Sequence, residues 1–190
     1  FQLYAEIFRI GLFGNEQFSS LEFIVAESNY KLVLSNSKTP LLNTGDCISL
    51  TLSGQTIQVK KNGKTLGFYT KIRLVTALAD GSMRIKLVPN ESAVFTYGGH
   101  FEISSFKGKL KVINFIDQES YVAAVVESEV GNNTQPEFLK VQSVLCRTYA
   151  LNHLTRHATE GFELCDQVHC QAYKGKSRFN DFIKSAIDST

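Results

Sequence analysis

Leu110-Lys111-Val112-Ile113-Asn114-Phe115 and, after it, Tyr121-Val122-Ala123-Ala124-Val125-Val126-Glu127-Ser128-Glu129-Val130 decide the fold. The first run reads as a strand. The second belongs to a helix over about 117–130, with Gly131 as its stop signal. Between them the chain changes from a strand-rich to a helix-rich text. A second helix is predicted from Pro136, a favoured first-turn residue, to about His157. Its Val141, Val144, Leu145, Thr148 and Leu151 recur at helical spacing. From Phe179 to Thr190 the text begins another helix with no closing signal, so the domain is expected to be cut short at its carboxy-terminal end.

Upstream, residues 7 to about 101 are β-like. Residues 8–13 read as a strand. Phe23-Ile24-Val25 and Tyr30-Lys31-Leu32-Val33-Leu34 are expected to pair across the turn-forming Glu27-Ser28-Asn29. Residues 48–52 alternate apolar and polar, Ser53-Gly54 marks a turn, and residues 57–59 return. Lys61-Asn62-Gly63-Lys64 carries the Asn-Gly hairpin signal. Residues 72–75 and 83–87 bracket a turn at Asp80-Gly81. Gly98-Gly99-His100 opens a strand over 101–104, with His100 expected in the loop, and Lys107-Gly108-Lys109 turns that strand into residues 110–115. The expectation is an α+β fold: a β-rich portion over 1–96, then a portion over 97–190 holding a β-hairpin, two packed helices and a metal-binding loop.

Composition narrows the function. The 190 residues suffice for one large domain or two small ones. At 43% hydrophobic residues the chain can bury a proper core. A net charge of +2, with Lys and Arg scattered, lacks the concentrated basic face of a nucleic-acid binder. The apolar stretches are too short to span a bilayer. Trp is absent, which disfavours a carbohydrate-binding module built on Trp platforms. Residue 1 is Phe and no charged-then-apolar leader follows, so any export signal is expected to be missing from this chain.

Cysteine usage is uneven. Four cysteines suit two disulfides in an exported protein. Yet Cys165-x-x-x-His169-Cys170 offers two thiolates and an imidazole within six residues, a set that zinc takes tetrahedrally. His157 stands eight residues upstream as a fourth ligand, with His153 one helical turn earlier in reserve. Asp166 suits a supporting role behind the ligands. A Cys165–Cys170 disulfide and plain buried thiols remain open alternatives. Cys146 and Cys47 read as small packing residues.

Three blocks in order carry a family resemblance: residues 121–130 quoted above, Pro136-Glu137-Phe138-Leu139-Lys140-Val141-Gln142-Ser143-Val144-Leu145-Cys146-Arg147-Thr148-Tyr149-Ala150, and Leu164-Cys165-Asp166-Gln167-Val168-His169-Cys170-Gln171-Ala172-Tyr173-Lys174-Gly175. Together they resemble the stage II sporulation protein D (SpoIID/LytB) family over roughly 98–190. The resemblance implies action on peptidoglycan in the cell envelope by an exported protein. Members resemble lytic transglycosylases, which cut the glycan strand between N-acetylmuramic acid and N-acetylglucosamine. Others are described as enhancers of cell-wall amidases, which makes an amidase a candidate partner. The family's catalytic glutamate falls on Glu129. Its zinc-binding loop falls on Cys165, His169 and Cys170, with His157 nearest as a further ligand. Arg147 and Tyr149, with Gln142, Gln171 and Tyr173, are candidates to line a glycan groove. Against that, Arg147 can pair with an acid such as Glu137 or Glu127, and Tyr149 can simply pack. The chain departs from the family where the second helix carries Phe138, Val141, Leu145 and Cys146 in place of small residues, and where Gly131 replaces a common proline.

A lytic transglycosylase needs one acid/base, unlike a hydrolase with two carboxylates at a set separation. A single privileged Glu fits that chemistry, although periodicity alone makes Glu129 a solvated helix-end residue. Its pKa is expected to be raised, because Tyr121, Val125 and Glu129 share an otherwise apolar helical face and because Glu129 lies at the negative end of the helix dipole. Glu127 is expected to be a surface charge.

Overall fold

The computed structural model describes residues 6–16, 18–35, 39–78, 80–88, 94–131, 134–177 and 180–190. Its strands are β1 (Ile7–Leu12), β2 (Ser20–Glu27), β3 (Tyr30–Leu34), β4 (Leu41–Leu42), β5 (Cys47–Ser53), β6 (Thr56–Lys61), β7 (Lys64–Tyr69), β8 (Lys71–Thr76), β9 (Ser82–Val88), β10 (Val94–Gly98), β11 (His100–Phe106), β12 (Lys109–Asp117) and β13 (Leu164–Cys165). The helices are α1 (Gln118–Val130), α2 (Pro136–Asn152) and α3 (Asn180–Asp188). The fold is α+β, with its strands in two sheets. Of the tail predicted as a helix from Phe179, that first residue lies outside the described residues, and α3 takes up the rest. The chain forms two compact units, one of Phe1–Gly11 with Phe115–Thr190, the other of Leu12–Asn114.

In the Leu12–Asn114 unit one sheet runs β10-β9-β2-β5-β6-β7, and part of the other runs β11-β8-β3-β4. Alternation sets the faces: in β2, Leu21, Phe23 and Val25 are buried while their neighbours are half-exposed. The Asn62-Gly63 hairpin forms as its sequence predicts. Lys61 pairs with Lys64, and both turn residues take positive φ, 48° and 81°. The expected pairing of residues 23–25 with 30–34 does not occur. β2 lies between β9 and β5, whereas β3 pairs with β8 and β4. Ser28, at φ 61°, redirects the chain between sheets rather than closing a hairpin. His100 is likewise a strand residue, not a loop residue. It begins β11, and its Nδ1 accepts the Thr76 N–H at 3.2 Å. Burial lowers its pKa, which keeps that nitrogen available as an acceptor.

The other unit is built on α1. Asp117 caps it by accepting the Ser120 N–H at 2.8 Å. Residues 121–126 are all buried, so this helix is apolar around its circumference and forms the core of the unit. Phe8 of β1 and Tyr173 sit against Tyr121 with ring centroids 5.5 and 5.1 Å apart. β1 also pairs in parallel with β13, Ile10 against Leu164 and Gly11 against Cys165. At Gly11 an added Cβ would lie 2.5 Å from the Phe162 ring, so only glycine leaves that ring its place.

α2 packs on α1 and α3, and its buried residues are Leu139, Ser143, Cys146 and Ala150. The stripe by which the helix was predicted lies on the other side: Val141, Val144, Leu145, Thr148 and Leu151 are exposed. The helix also stops earlier than its text suggests. His153 takes the cap position, and its Nδ1 lies 2.7 Å from the Tyr149 carbonyl.

Candidate functional site

That early stop builds the first half of the site. Residues 153–157 turn the chain off the helix axis and lead into a 3-10 turn, Ala158–Glu160. His157 is thereby brought to Cys165, His169 and Cys170. One ligand atom from each of these four lies within 4.8 Å of every other. Cys165 Sγ is 3.4 Å from His169 Nδ1, and Cys170 Sγ is 3.4 Å from His157 Nε2. A zinc tetrahedron with Zn–S near 2.3 Å and Zn–N near 2.0–2.1 Å has S···N edges of about 3.6 Å. These two pairs lie near that edge length, and the four side chains together form a group that could hold a metal ion. Both cysteines are free thiols, so the disulfide alternative is not what this structure holds. Burial pushes the Cys165 thiol up to about 12, a proton that a metal ion would have to displace.

The support behind the ligands differs in part from expectation. His157 Nδ1 lies 2.6 Å from Glu160 Oε1, which turns Nε2 toward the cysteines. Asp166, expected in that role, accepts from Gln167 at 2.7 Å and donates its own N–H to the Gly11 carbonyl. The sequence signal for Glu160 was present, an acid three residues after a candidate ligand. His153 stays out of the cluster and stacks on Tyr149 with centroids 4.1 Å apart.

Glu129 forms the second half. It sits in the last turn of α1, before the Gly131 cap at φ 70°. Contrary to expectation it is exposed. Its Oε2 accepts from Gln142 Nε2 at 3.1 Å and from the Cys146 thiol at 3.7 Å, both on α2. Among the described residues no hydrogen bond reaches Oε1. Glu127 is not a plain surface charge: half-buried, it accepts a hydrogen bond from Ser177 Oγ. Cys146 is likewise more than a packing residue. Burial first, then the neighbouring Glu129 charge, pushes its thiol up to about 12, so it keeps its proton at neutral pH.

Residues 106–190, which contain both halves, match the family model described as SpoIID, stage II sporulation protein. This stretch is a SpoIID domain. An uncharacterized protein of Brachyspira hyodysenteriae is 26% identical over 158 residues, covering 71% of this chain and 43% of that protein. The uncharacterized protein YfaQ of Escherichia coli is 27% identical over 139 residues, covering 70% of this chain and 25% of that protein. The chain thus spans less than half the length of either relative. No solved structure matches it. Membership suggests a cell-wall-related role for the SpoIID domain.

Among the other candidates in the SpoIID domain, Gln142 hydrogen-bonds Glu129 directly. Gln171 and Tyr173 are buried, and the Tyr121 hydroxyl donates to Gln171 Oε1 at 3.3 Å. Tyr149 donates to the His169 carbonyl at 3.1 Å and accepts from Arg156 at 2.7 Å, which ties α2 to the metal loop. Arg147 is engaged within the domain, but with neither acid proposed for it. Its Nε and Nη2 bind the two carboxylate oxygens of Glu119 at 3.1 and 2.6 Å. In a double-mutant cycle, Glu119→Ala and Arg147→Ala should couple by about 0.5–1 kcal/mol, as for a partly exposed bidentate pair. Urea denaturation of the four proteins measures this, and additive losses would mean the pair does not hold α1 to α2. Among the described residues no helix is long and apolar enough to cross a membrane.

Proposed function

We propose that this protein is a peptidoglycan lytic transglycosylase of the cell envelope, with Glu129 as its single acid/base. The observation that supports the reading most is the state of that carboxylate: exposed at the end of α1, held through Oε2, with no hydrogen bond to Oε1 among the described residues. In the reaction the protonated carboxyl gives its proton to the glycosidic oxygen as the bond to the muramic-acid carbon breaks. The resulting carboxylate then takes the proton of the sugar's 6-hydroxyl, whose oxygen closes the 1,6-anhydro ring. One group thus serves twice, and the acid is regenerated without water.

In this reading His157, Cys165, His169 and Cys170 hold one zinc ion. Two thiolates and two imidazoles select zinc among common divalent ions. Four protein ligands close the tetrahedron, so the ion when bound supplies a structural tie between the end of α2 and the loop that follows β13.

Incubation with isolated sacculi tests the activity. Anhydro-muropeptides in the soluble fraction, identified by mass, are the expected products. A second reading is favoured by the exposed apolar stripe of α2, since such patches mark interaction surfaces. There the domain is a non-catalytic peptidoglycan-binding module that enhances or recruits a cell-wall amidase. Protein that pellets with sacculi and releases nothing would establish that reading instead.

A further inference from the structure

The donors on Glu129 are unequal in character. Gln142 Nε2 is an ordinary amide donor from the first half of α2. Cys146, one turn further along the helix, is a buried thiol, 2% exposed, and is expected from sequence only to fill space. It lies between two polar groups. Its sulfur is 3.7 Å from Glu129 Oε2 and 3.6 Å from Gln142 Nε2. A thiol has one proton to donate. With Gln142 supplying an N–H to the sulfur, the carboxylate is the acceptor left for the S–H.

We propose that Cys146 is a positioning residue for Glu129: its S–H, aimed by Gln142, fixes Oε2 against α2 so that Oε1 is the oxygen presented for proton exchange. The inference rests on the catalytic reading of Glu129 and adds a requirement to it. The raised pKa of the buried thiol agrees with a neutral donor at working pH. A weak S–H donor on a partly solvated carboxylate controls orientation more than affinity. Its loss should therefore appear in turnover and not in substrate binding.

The test compares wild type, Cys146→Ala and Cys146→Ser. On sacculi, Cys146→Ala should lower kcat by about three- to tenfold at unchanged KM, and Cys146→Ser, which keeps a donor at the same place, should recover most of the loss. Independently of activity, the side-chain carboxyl carbon of Glu129 is followed by NMR at a fixed neutral pH. Its signal should move in Cys146→Ala and return toward the wild-type position in Cys146→Ser. An unmoved signal in Cys146→Ala, or full kcat in that variant, overturns the positioning role. If the wild type cleaves nothing while the signal moves and is rescued, the contact stands and the catalytic reading of Glu129 has failed instead.

Discussion

Cys170→Ser is expected to abolish metal binding and to lower the stability of the SpoIID domain. The wild-type protein, purified without added zinc, is expected to carry about one zinc ion per chain by elemental analysis, and the variant close to none. The reason is geometric. Cys170 Sγ lies 3.4 Å from His157 Nε2 and 3.8 Å from His169 Nε2. Without it, three of the four clustered ligand groups remain. An ion bound to the folded state alone stabilises by about 4 kcal/mol when its free concentration is a thousand times Kd. A loss of that order should appear as a lower melting temperature, and a chelator should reproduce it in the wild type. Cys47→Ser is the control, because Cys47 lies outside the cluster and should leave the metal content unchanged. Wild-type protein that holds no zinc but shows a Cys165–Cys170 disulfide by mass would refute the metal centre.

Glu129→Gln is expected to reduce release of anhydro-muropeptides by about a hundredfold to ten-thousandfold, the range for removing a general acid/base. Stability should change by no more than about 0.5 kcal/mol, since the side chain is exposed and a glutamine oxygen can still accept from Gln142. The amide cannot give up or regain the proton that the reaction exchanges at Oε1. Glu127→Gln separates chemistry from structure. That carboxylate accepts from Ser177, so its replacement should cost about 1 kcal/mol of stability and spare cleavage. Full activity in Glu129→Gln would remove the residue from its role, whatever the state of the metal centre.

Local signals were the most legible. The Asn62-Gly63 hairpin, the Asp117 and Gly131 limits of α1, and the Pro136 start of α2 each depend on residues within a few positions of one another, and each forms as its text predicts. The zinc-type ligands could be gathered for a similar reason, because three of them fall within six residues. What went astray depended on partners distant in the chain. β2 and β3 are adjacent in sequence, but β2 pairs with β5 and β9 and β3 with β4 and β8, and no local pattern encodes that choice. α2 was recognised as a helix from an apolar stripe that turned out to face outward. Its inner face carries Leu139, Ser143, Cys146 and Ala150 instead, and α2 packs on α1 and α3, elements that its own periodicity does not name.

Glu129 shows the same division within a single residue. The sequence by itself determined that a carboxylate stands in the last turn of α1, that two cysteines and two histidines cluster after α2, and that the blocks holding them belong together. Only the tertiary structure decided that this carboxylate is exposed, that Gln142 and Cys146 hold one of its oxygens, that Glu160 orients His157, and that Glu119 engages Arg147. Helix periodicity fixes which residues share a face. Which face is buried, and against what, is set by side-chain volume and by hydrogen-bonding partners contributed from elsewhere in the chain.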